Sequence, residues 1–265
     1  MDYKGNKLLT KEIDSVMKEK GWIRFDSVLE NDFSEMLRDD LENTYKKRRD
    51  IQKKNGVSVN TDGTSHHILD KDNSFMEFLS RMYMDDYLKY YFEGNYILNS
   101  YGGVINMKNK SSYVSNIHRD VRTFIKDVHL MCNMLVMLDD FTLENGATFV
   151  LSGSHNISER PDKDEFYTKG DRITGTKGSI VLFDSNLWHA AGKNETDNAR
   201  RALTLTFTKP FMKQQLDYPR MLGYELADML SEDLKQVIGY NSRIPANLDE
   251  WYQPPEKRLY KPEQG

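Results

Sequence analysis

Three side chains able to bind a metal ion recur along the chain: His118 and Asp120 in Asn116-Ile117-His118-Arg119-Asp120, and later His189. On an extended segment, side chains two residues apart point to the same side, so His118 and Asp120 can present a nitrogen and an oxygen to one ion. A second His from a distant strand completes a facial set of two histidines and one carboxylate. Such a set leaves positions open for a bidentate co-substrate and for O2, the pattern of non-haem Fe(II). Alone, the H-x-D triplet is weak, because a solvated surface pair also explains it. His-Arg-Asp also mimics the protein-kinase catalytic loop, but Ile125 stands where that loop needs Asn, and no Gly-rich phosphate loop exists.

His189 ends the run Gly178-Ser179-Ile180-Val181-Leu182-Phe183-Asp184-Ser185-Asn186-Leu187-Trp188-His189, an apolar strand closed by a polar turn. Arg200 follows eleven residues later and enters the strand that begins at Ala202. From there an arginine can return along a neighbouring strand and offer a two-pronged hydrogen-bonding fork to a carboxylate beside the metal. Arg201 points to the opposite face, so only one of the two can do this. The order H-x-D, strand pair, His, Arg is far more specific than any of its parts.

These residues need rigid elements to hold them. Residues 1–94 read as helical: Leu9 to Lys18 with Thr10 as N-cap, then Asp32 to about Lys53 capped by Asn31. Phe33, Met36, Leu37, Leu41 and Tyr45 form one stripe of the second helix. The polar run KKNGVSVNTDGTSHH reads as a mobile loop, and Ser74 to Phe92 as two further helical pieces dense in aromatics. The core, residues 95–210, carries the strand-like runs Tyr96–Leu98, Gly103–Ile105, Met131–Leu138, Ala147–Leu151, Ser179–Phe183 and Ala202–Thr208. Strand follows strand with few helices between, which favours an antiparallel β core over βαβ units. Residues 211–265 return to helical periodicity from Tyr224 to Val237. The expectation is a single domain over 1–265, mainly β, with a helical collar.

Composition sets the outer limits. The 37 basic and 41 acidic residues give a net charge of −4, which argues against a nucleic-acid surface and leaves room for a local cationic pocket. Cys132, the only cysteine, sits in an apolar run and reads as a buried structural thiol. No apolar run is long enough to span a bilayer and the N-terminus lacks a signal-peptide core, so the expectation is a cytoplasmic protein without membrane or nucleic-acid partners, monomeric or homodimeric.

The sequence resembles the phytanoyl-CoA dioxygenase family of Fe(II)/2-oxoglutarate oxygenases over roughly residues 15 to 210. The resemblance rests on Lys20-Gly21-Trp22-Ile23, His118-Arg119-Asp120, the stretch from Leu138-Asp139-Asp140 to Asn145-Gly146-Ala147-Thr148, Ser152-Gly153-Ser154-His155, Trp188-His189-Ala190-Ala191-Gly192-Lys193-Asn194, and Arg200. The family often has Pro where this chain has Ser152. The resemblance implies a double-stranded β-helix, a cupin-like jelly roll with one open mouth. It implies His118, Asp120 and His189 as catalytic metal ligands, with Arg200 on the distal carboxylate of the co-substrate 2-oxoglutarate. Asn106, Asn133 and Thr148 stand where relatives often place a polar residue near the co-substrate. Asp120 favours hydroxylation, or desaturation and related oxidations, because related halogenases have a small residue there.

The resemblance also orders the remaining candidates. Arg122 would face the mouth if the segment stays extended and is the preferred substrate contact, against surface salt bridging. His155 reads as structural, its ring tying a loop, and His66 and His67 as part of a solvated loop that could close over substrate. Asn156 to Gly170 would border the mouth as a lid. The expected function is hydroxylation of a small polar or carrier-linked metabolite, with release of succinate and CO2. The rival is a non-catalytic jelly-roll binding protein for a sugar or anion, which has no reason to keep the triad and Arg200 together.

Overall fold

The computed structural model describes residues 10–110, 112–126 and 128–264. Helix α1 (Thr10–Lys20) leads into strand β1 (Trp22–Phe25), then α2 (Asn31–Lys54), β2 (Thr64–Ser65), α3 (Ser74–Ser80), α4 (Asp85–Tyr91) and β3 (Ile97–Asn106). Strands β4 (Met131–Met137) and β5 (Thr148–Val150), helix α5 (Lys163–Lys169) and strands β6 (Asp171–Ile173), β7 (Ile180–Asp184), β8 (His189–Ala190) and β9 (Arg200–Thr208) follow. Helices α6 (Tyr218–Leu222), α7 (Glu232–Ile238) and α8 (Leu248–Trp251) close the chain.

The strands form two antiparallel sheets, a larger one in the order β1-β7-β4-β9-β3-β2 and a smaller one in the order β6-β5-β8. Period-two alternation gives the larger sheet two different faces. Cys132, Met134 and Val136 of β4, Ile180 and Leu182 of β7, and Leu203, Leu205 and Phe207 of β9 pack against the helices in one large core. The opposite parity, Leu135, Met137, Val181 and Ala202, meets Val150 and Ile173 of the smaller sheet. This is the jelly-roll arrangement expected from the sequence. Helical residues nonetheless outnumber strand residues, so β structure is the framework of the site and not the bulk of the chain.

The helical collar follows from spacing. Phe33, Leu37 and Leu41 recur every four residues along α2 and are buried, each fully buried side chain worth about 1.5–3 kcal/mol, whereas Met36 is exposed. Helix α2 lies so close to β3 that a Cβ on Gly103 would strike the Leu41 side chain. Tyr87, Tyr91, Phe92 and Tyr96 are buried in the same core, as helix-to-sheet packing.

Several local expectations differ from what is observed. The first helix is described from Thr10, itself helical, to Lys20, and the expected start at Leu9 lies outside the described residues. Asn31 is the first residue of α2 and Glu30 the N-cap, without a side-chain cap bond. Residues 1–94 contribute two strands to the larger sheet, because Trp22–Phe25 pairs with β7 and Thr64–Ser65 with β3. The expected mobile loop is pinned. The Arg49 guanidinium reaches Thr61, Asp62 and the Ser58 carbonyl, and the Gly63 amide donates to Tyr45 Oη at 3.0 Å.

Asn156 to Gly170, expected to border the mouth as a lid, packs beside the cavity described below without lining it. It carries α5, whose Phe166 is fully buried with Ile117, Trp188 and Ala190.

Candidate metal centre

His118 and His189 are brought together by a single antiparallel bridge. The His118 amide donates to the His189 carbonyl at 3.0 Å, and the His189 amide returns a bond to His118 at 2.9 Å. Directly opposed residues of an antiparallel pair project to the same side, and the two imidazole centroids are 4.2 Å apart. Strand β8 holds this bridge against the smaller sheet, where Val150 pairs with His189. The segment around Asp120 is not a regular strand. The Asp120 amide donates to the Ser185 carbonyl at 3.1 Å, which docks the segment on the turn after β7.

The neighbours of the two histidines point away and anchor the segment from behind. Ile117 and Trp188 share the buried cluster with Phe166, and the Arg119 guanidinium lies 4.2 Å over the Trp188 ring. Arg119 also donates to the carbonyls of Ile157 and Ser158 at 2.9 and 2.7 Å.

Hydrogen bonding fixes which ring nitrogen is free. His118 Nδ1 lies 2.8 Å from the Asn116 carbonyl and His189 Nδ1 lies 3.0 Å from the Leu187 carbonyl. A carbonyl only accepts, so each Nδ1 carries a proton and Nε2 is the nitrogen left to face an ion. Both Nε2 atoms turn toward Asp120, at 3.6 Å from Oδ1 and 3.7 Å from Oδ2. Burial lowers the pKa of His189, and His118 acts in the same direction against the pull of Asp120, so His189 stays neutral. One donor atom from each of the three residues lies within 4.8 Å of the other two. The Nε2-to-oxygen gaps are of a size that an ion with bonds of about 2.1 Å bridges. Two imidazoles and a carboxylate fit a divalent first-row ion such as Fe(II).

A cavity of about 550 Å³ opens in front of the three residues, between the two sheets. Its inner part is lined by Leu135, Thr148, Val150, Ile173 and Ala202 and contains Arg200. The Arg200 side chain is 2 % exposed and its Nε has no hydrogen-bond partner. The guanidinium stacks 4.1 Å from the Phe141 ring centre. Burial brings its pKa down to about 10, Asp139 opposing the shift and Arg172 reinforcing it. Arg201 faces the helices, as parity requires, and is bound by Glu42 at 2.6 Å and Asp139 at 3.0 Å. Of the two neighbours, only Arg200 is left to receive an anion.

The polar candidates divide. Thr148 lines the cavity beside the Arg200 end. Asn106 is not among the lining residues, because its Nδ2 donates to the Gly192 carbonyl at 2.9 Å. Asn133 lines the cavity, but its amide is committed to Asp120, Ser185 and Thr206, so it positions a candidate ligand and has no N–H left for a co-substrate. Arg122 is exposed and lines the mouth.

His155 binds the Lys18 carbonyl at 3.2 Å and ties its turn to α1. His66 lines the cavity and meets Tyr113 Oη at 2.9 Å, and His129 packs against Tyr91. Ser152 accepts from Trp22 Nε1 at 2.7 Å and donates to Asp171 at 2.5 Å, and does not line the cavity. Ser185 and Thr206 escaped the sequence reading. Thr206 could have been found by parity, since it shares the cavity face of β9 with Arg200.

Comparison with known proteins adds to this geometry. The sequence profile described as phytanoyl-CoA dioxygenase matches residues 17–202. The uncharacterized protein Rv1501 of Mycobacterium tuberculosis is 40% identical over 148 residues, covering 56% of this chain and 54% of that protein. The dioxygenase FUM3 of Gibberella moniliformis is 30% identical over 118 residues, 43% of this chain and 37% of its own. The chain thus spans about half the length, or less, of these curated relatives. Among solved structures, EvdMO1 superposes with a TM-score of 0.57 at 18% identity over 76% of this chain and 50% of that one. AviO1 from Streptomyces viridochromogenes Tue57 superposes with a TM-score of 0.55 at 18% identity over 78% of this chain and 97% of that one. At that identity the structures speak for the fold. No helix among the described residues is long and apolar enough to cross a membrane.

Proposed function

The chain belongs to the phytanoyl-CoA dioxygenase family, and from that membership we propose that it is a dioxygenase dependent on Fe(II) and 2-oxoglutarate. It hydroxylates a small polar or carrier-linked metabolite and releases succinate and CO2. The observation that carries this reading is a buried guanidinium with an unpartnered Nε, sharing one cavity with two imidazoles and a carboxylate. Burying a cation without an opposite charge is costly, and a carboxylate-bearing co-substrate removes that cost when it binds.

His118, Asp120 and His189 would hold Fe(II), and Arg200 would bind the distal carboxylate of 2-oxoglutarate. Fe(II) with 2-oxoglutarate supplies an oxidant made from O2 that attacks a substrate C–H bond. The remaining work belongs to the chain. The Asn116 and Leu187 carbonyls hold a proton on each Nδ1 and leave Nε2 to face an ion. Asn133 fixes the Asp120 carboxylate, and the Phe141 ring shields one face of Arg200 from water. Thr148, Val150 and Ile173 wall the inner end and exclude solvent from it.

Purified protein given Fe(II) and 2-oxoglutarate without oxygen should develop the visible metal-to-ligand absorption band, and with oxygen should form succinate. His189→Ala should abolish metal affinity, and Arg200→Ala should weaken 2-oxoglutarate binding while sparing the metal. Absence of both the band and succinate formation sinks the proposal.

A further inference from the structure

The cavity extends beyond the inner end to a second, outer part. Its lining there includes the exposed His66, Arg122 and Gln215 and the half-buried Tyr113, groups that hydrogen-bond and carry no negative charge. In a chain with 41 acidic residues, Asp120 is the only carboxylate among the described lining residues, against Arg119, Arg122 and Arg200. The three arginines are not equivalent. Arg200 faces the co-substrate end, and Arg119 is held by two backbone carbonyls with Glu159 as an attractive charge. Arg122 makes no hydrogen bond or ion pair among the described residues.

Charge balance separates the two ends, on the reading under Proposed function. With a divalent ion and 2-oxoglutarate bound, the ion and Arg200 offset Asp120 and the two co-substrate carboxylates, and the inner end is neutral. The guanidinium of Arg122 is then left uncompensated in a cleft partly walled by protein, where field lines concentrate and oppositely charged ligands are drawn in. We propose that the substrate is an anionic small molecule whose carboxylate or phosphate is received by Arg122 at the mouth of the cavity. A planar guanidinium offers paired N–H donors that match either oxyanion. His66 and Tyr113, which line the same end, supply further hydrogen bonds to the polar part of such a molecule.

The test uses matched probes, each an anion with its neutral counterpart: phenylacetate with phenylacetamide, and phenyl phosphate with phenol. Each is titrated calorimetrically into the oxygen-free protein holding Fe(II) and 2-oxoglutarate, so that Arg200 is already occupied. The expected result is that at least one anion binds wild type tenfold or more tightly than its neutral partner. Arg122→Ala should erase that preference and Arg122→Lys keep part of it, with the 2-oxoglutarate absorption band unchanged in both variants. Preference for phenyl phosphate identifies a phosphate, and preference for phenylacetate a carboxylate. The proposal is overturned if neither anion is preferred by wild type, or if Arg122→Ala keeps the preference. If the absorption band never forms, the oxygenase reading fails by itself. The titrations are then repeated on metal-free Arg200→Ala protein, where a preference that still depends on Arg122 upholds the anion site.

Discussion

Asn133 joins the candidate ligand Asp120 to the larger sheet: its Nδ2 lies 2.8 Å from Asp120 Oδ2 and 3.0 Å from Ser185 Oγ. Its Oδ1 accepts from Thr206 Oγ1 at 2.8 Å. Both amide protons are therefore spent, one of them on holding a carboxylate that sits on an irregular segment and has little else to fix its orientation. Supporting hydrogen bonds of this kind are worth about 10–100-fold in metal affinity. Asn133→Ala should weaken Fe(II) or Zn(II) binding by that factor, read by competition with a chromophoric chelator, with its circular dichroism spectrum preserved. Thr206→Val removes one bond from the far side of the amide and should have a smaller effect in the same direction.

The pair Asn106 and Asn133 shows what the sequence could and could not reveal. The His118, Asp120 and His189 cluster and the buried Arg200 were legible because the chemistry they suit demands particular side chains in a particular order. The two asparagines are the same residue type on neighbouring parts of the core, and only tertiary hydrogen bonds separate them. One turns to the Gly192 carbonyl and the other to Asp120. Long strands with alternating apolar residues, β4 and β9, were readable to within two residues. Strands β1, β2, β6 and β8 have two to four residues each, too few for a period to register, and they exist because a neighbouring strand supplies their partners. The pinned loop before β2 escaped for the same reason, since its order comes from Arg49 and not from its own polar composition.

His67 should make stability depend on acidity. Burial, helped by His66 and Arg48, brings its pKa from the ordinary 6.5 down to about 4. Tyr218 Oη accepts the Tyr101 amide and lies 2.9 Å from His67 Nδ1, where a neutral ring with its proton on Nε2 accepts the hydroxyl proton. A histidine with a depressed folded-state pKa adds stability above its unfolded value, and that stability is lost as pH falls from about 6.5 through about 4. The partly exposed ring limits the effect to roughly 1–2 kcal/mol. Urea unfolding of wild type between these limits should show the loss. His67→Asn, which tolerates the left-handed backbone at φ 52°, should flatten the slope.

Gly21 is required where α1 meets β1. Its φ is +79°, and a Cβ there would strike the His155 ring and approach Leu187 Cδ1 to 2.9 Å. Its carbonyl accepts the Asp184 amide at 2.9 Å, next to the turn whose Ser185 holds Asp120. Gly21→Ala should therefore cost more than about 2 kcal/mol in urea unfolding and weaken metal binding as well. Gly56→Ala is the control: φ is +71° but the space is open, so about 1 kcal/mol of backbone strain is the expected cost, with metal affinity unchanged.

Arg200 should oppose stability in the absence of its ligand. The drop to about 10 corresponds to a penalty on the order of 3 kcal/mol for keeping the charge in its buried place. The guanidinium is charged in both folded and unfolded chains at neutral pH, so the penalty is present there and is relieved only above about 10. Stacking on Phe141 returns about 0.5–2 kcal/mol of it. Arg200→Met keeps the volume and an apolar contact with Phe141 while removing the charge. The variant without co-substrate should thus be more stable than wild type by about 1–2 kcal/mol, seen as a higher melting temperature. Adding metal and 2-oxoglutarate should reverse the order, stabilising wild type by mass action and leaving Arg200→Met nearly unmoved. A variant that is less stable than wild type without ligand would show that Arg200 is a structural cation, and that its burial has no connection with an anion in the cavity.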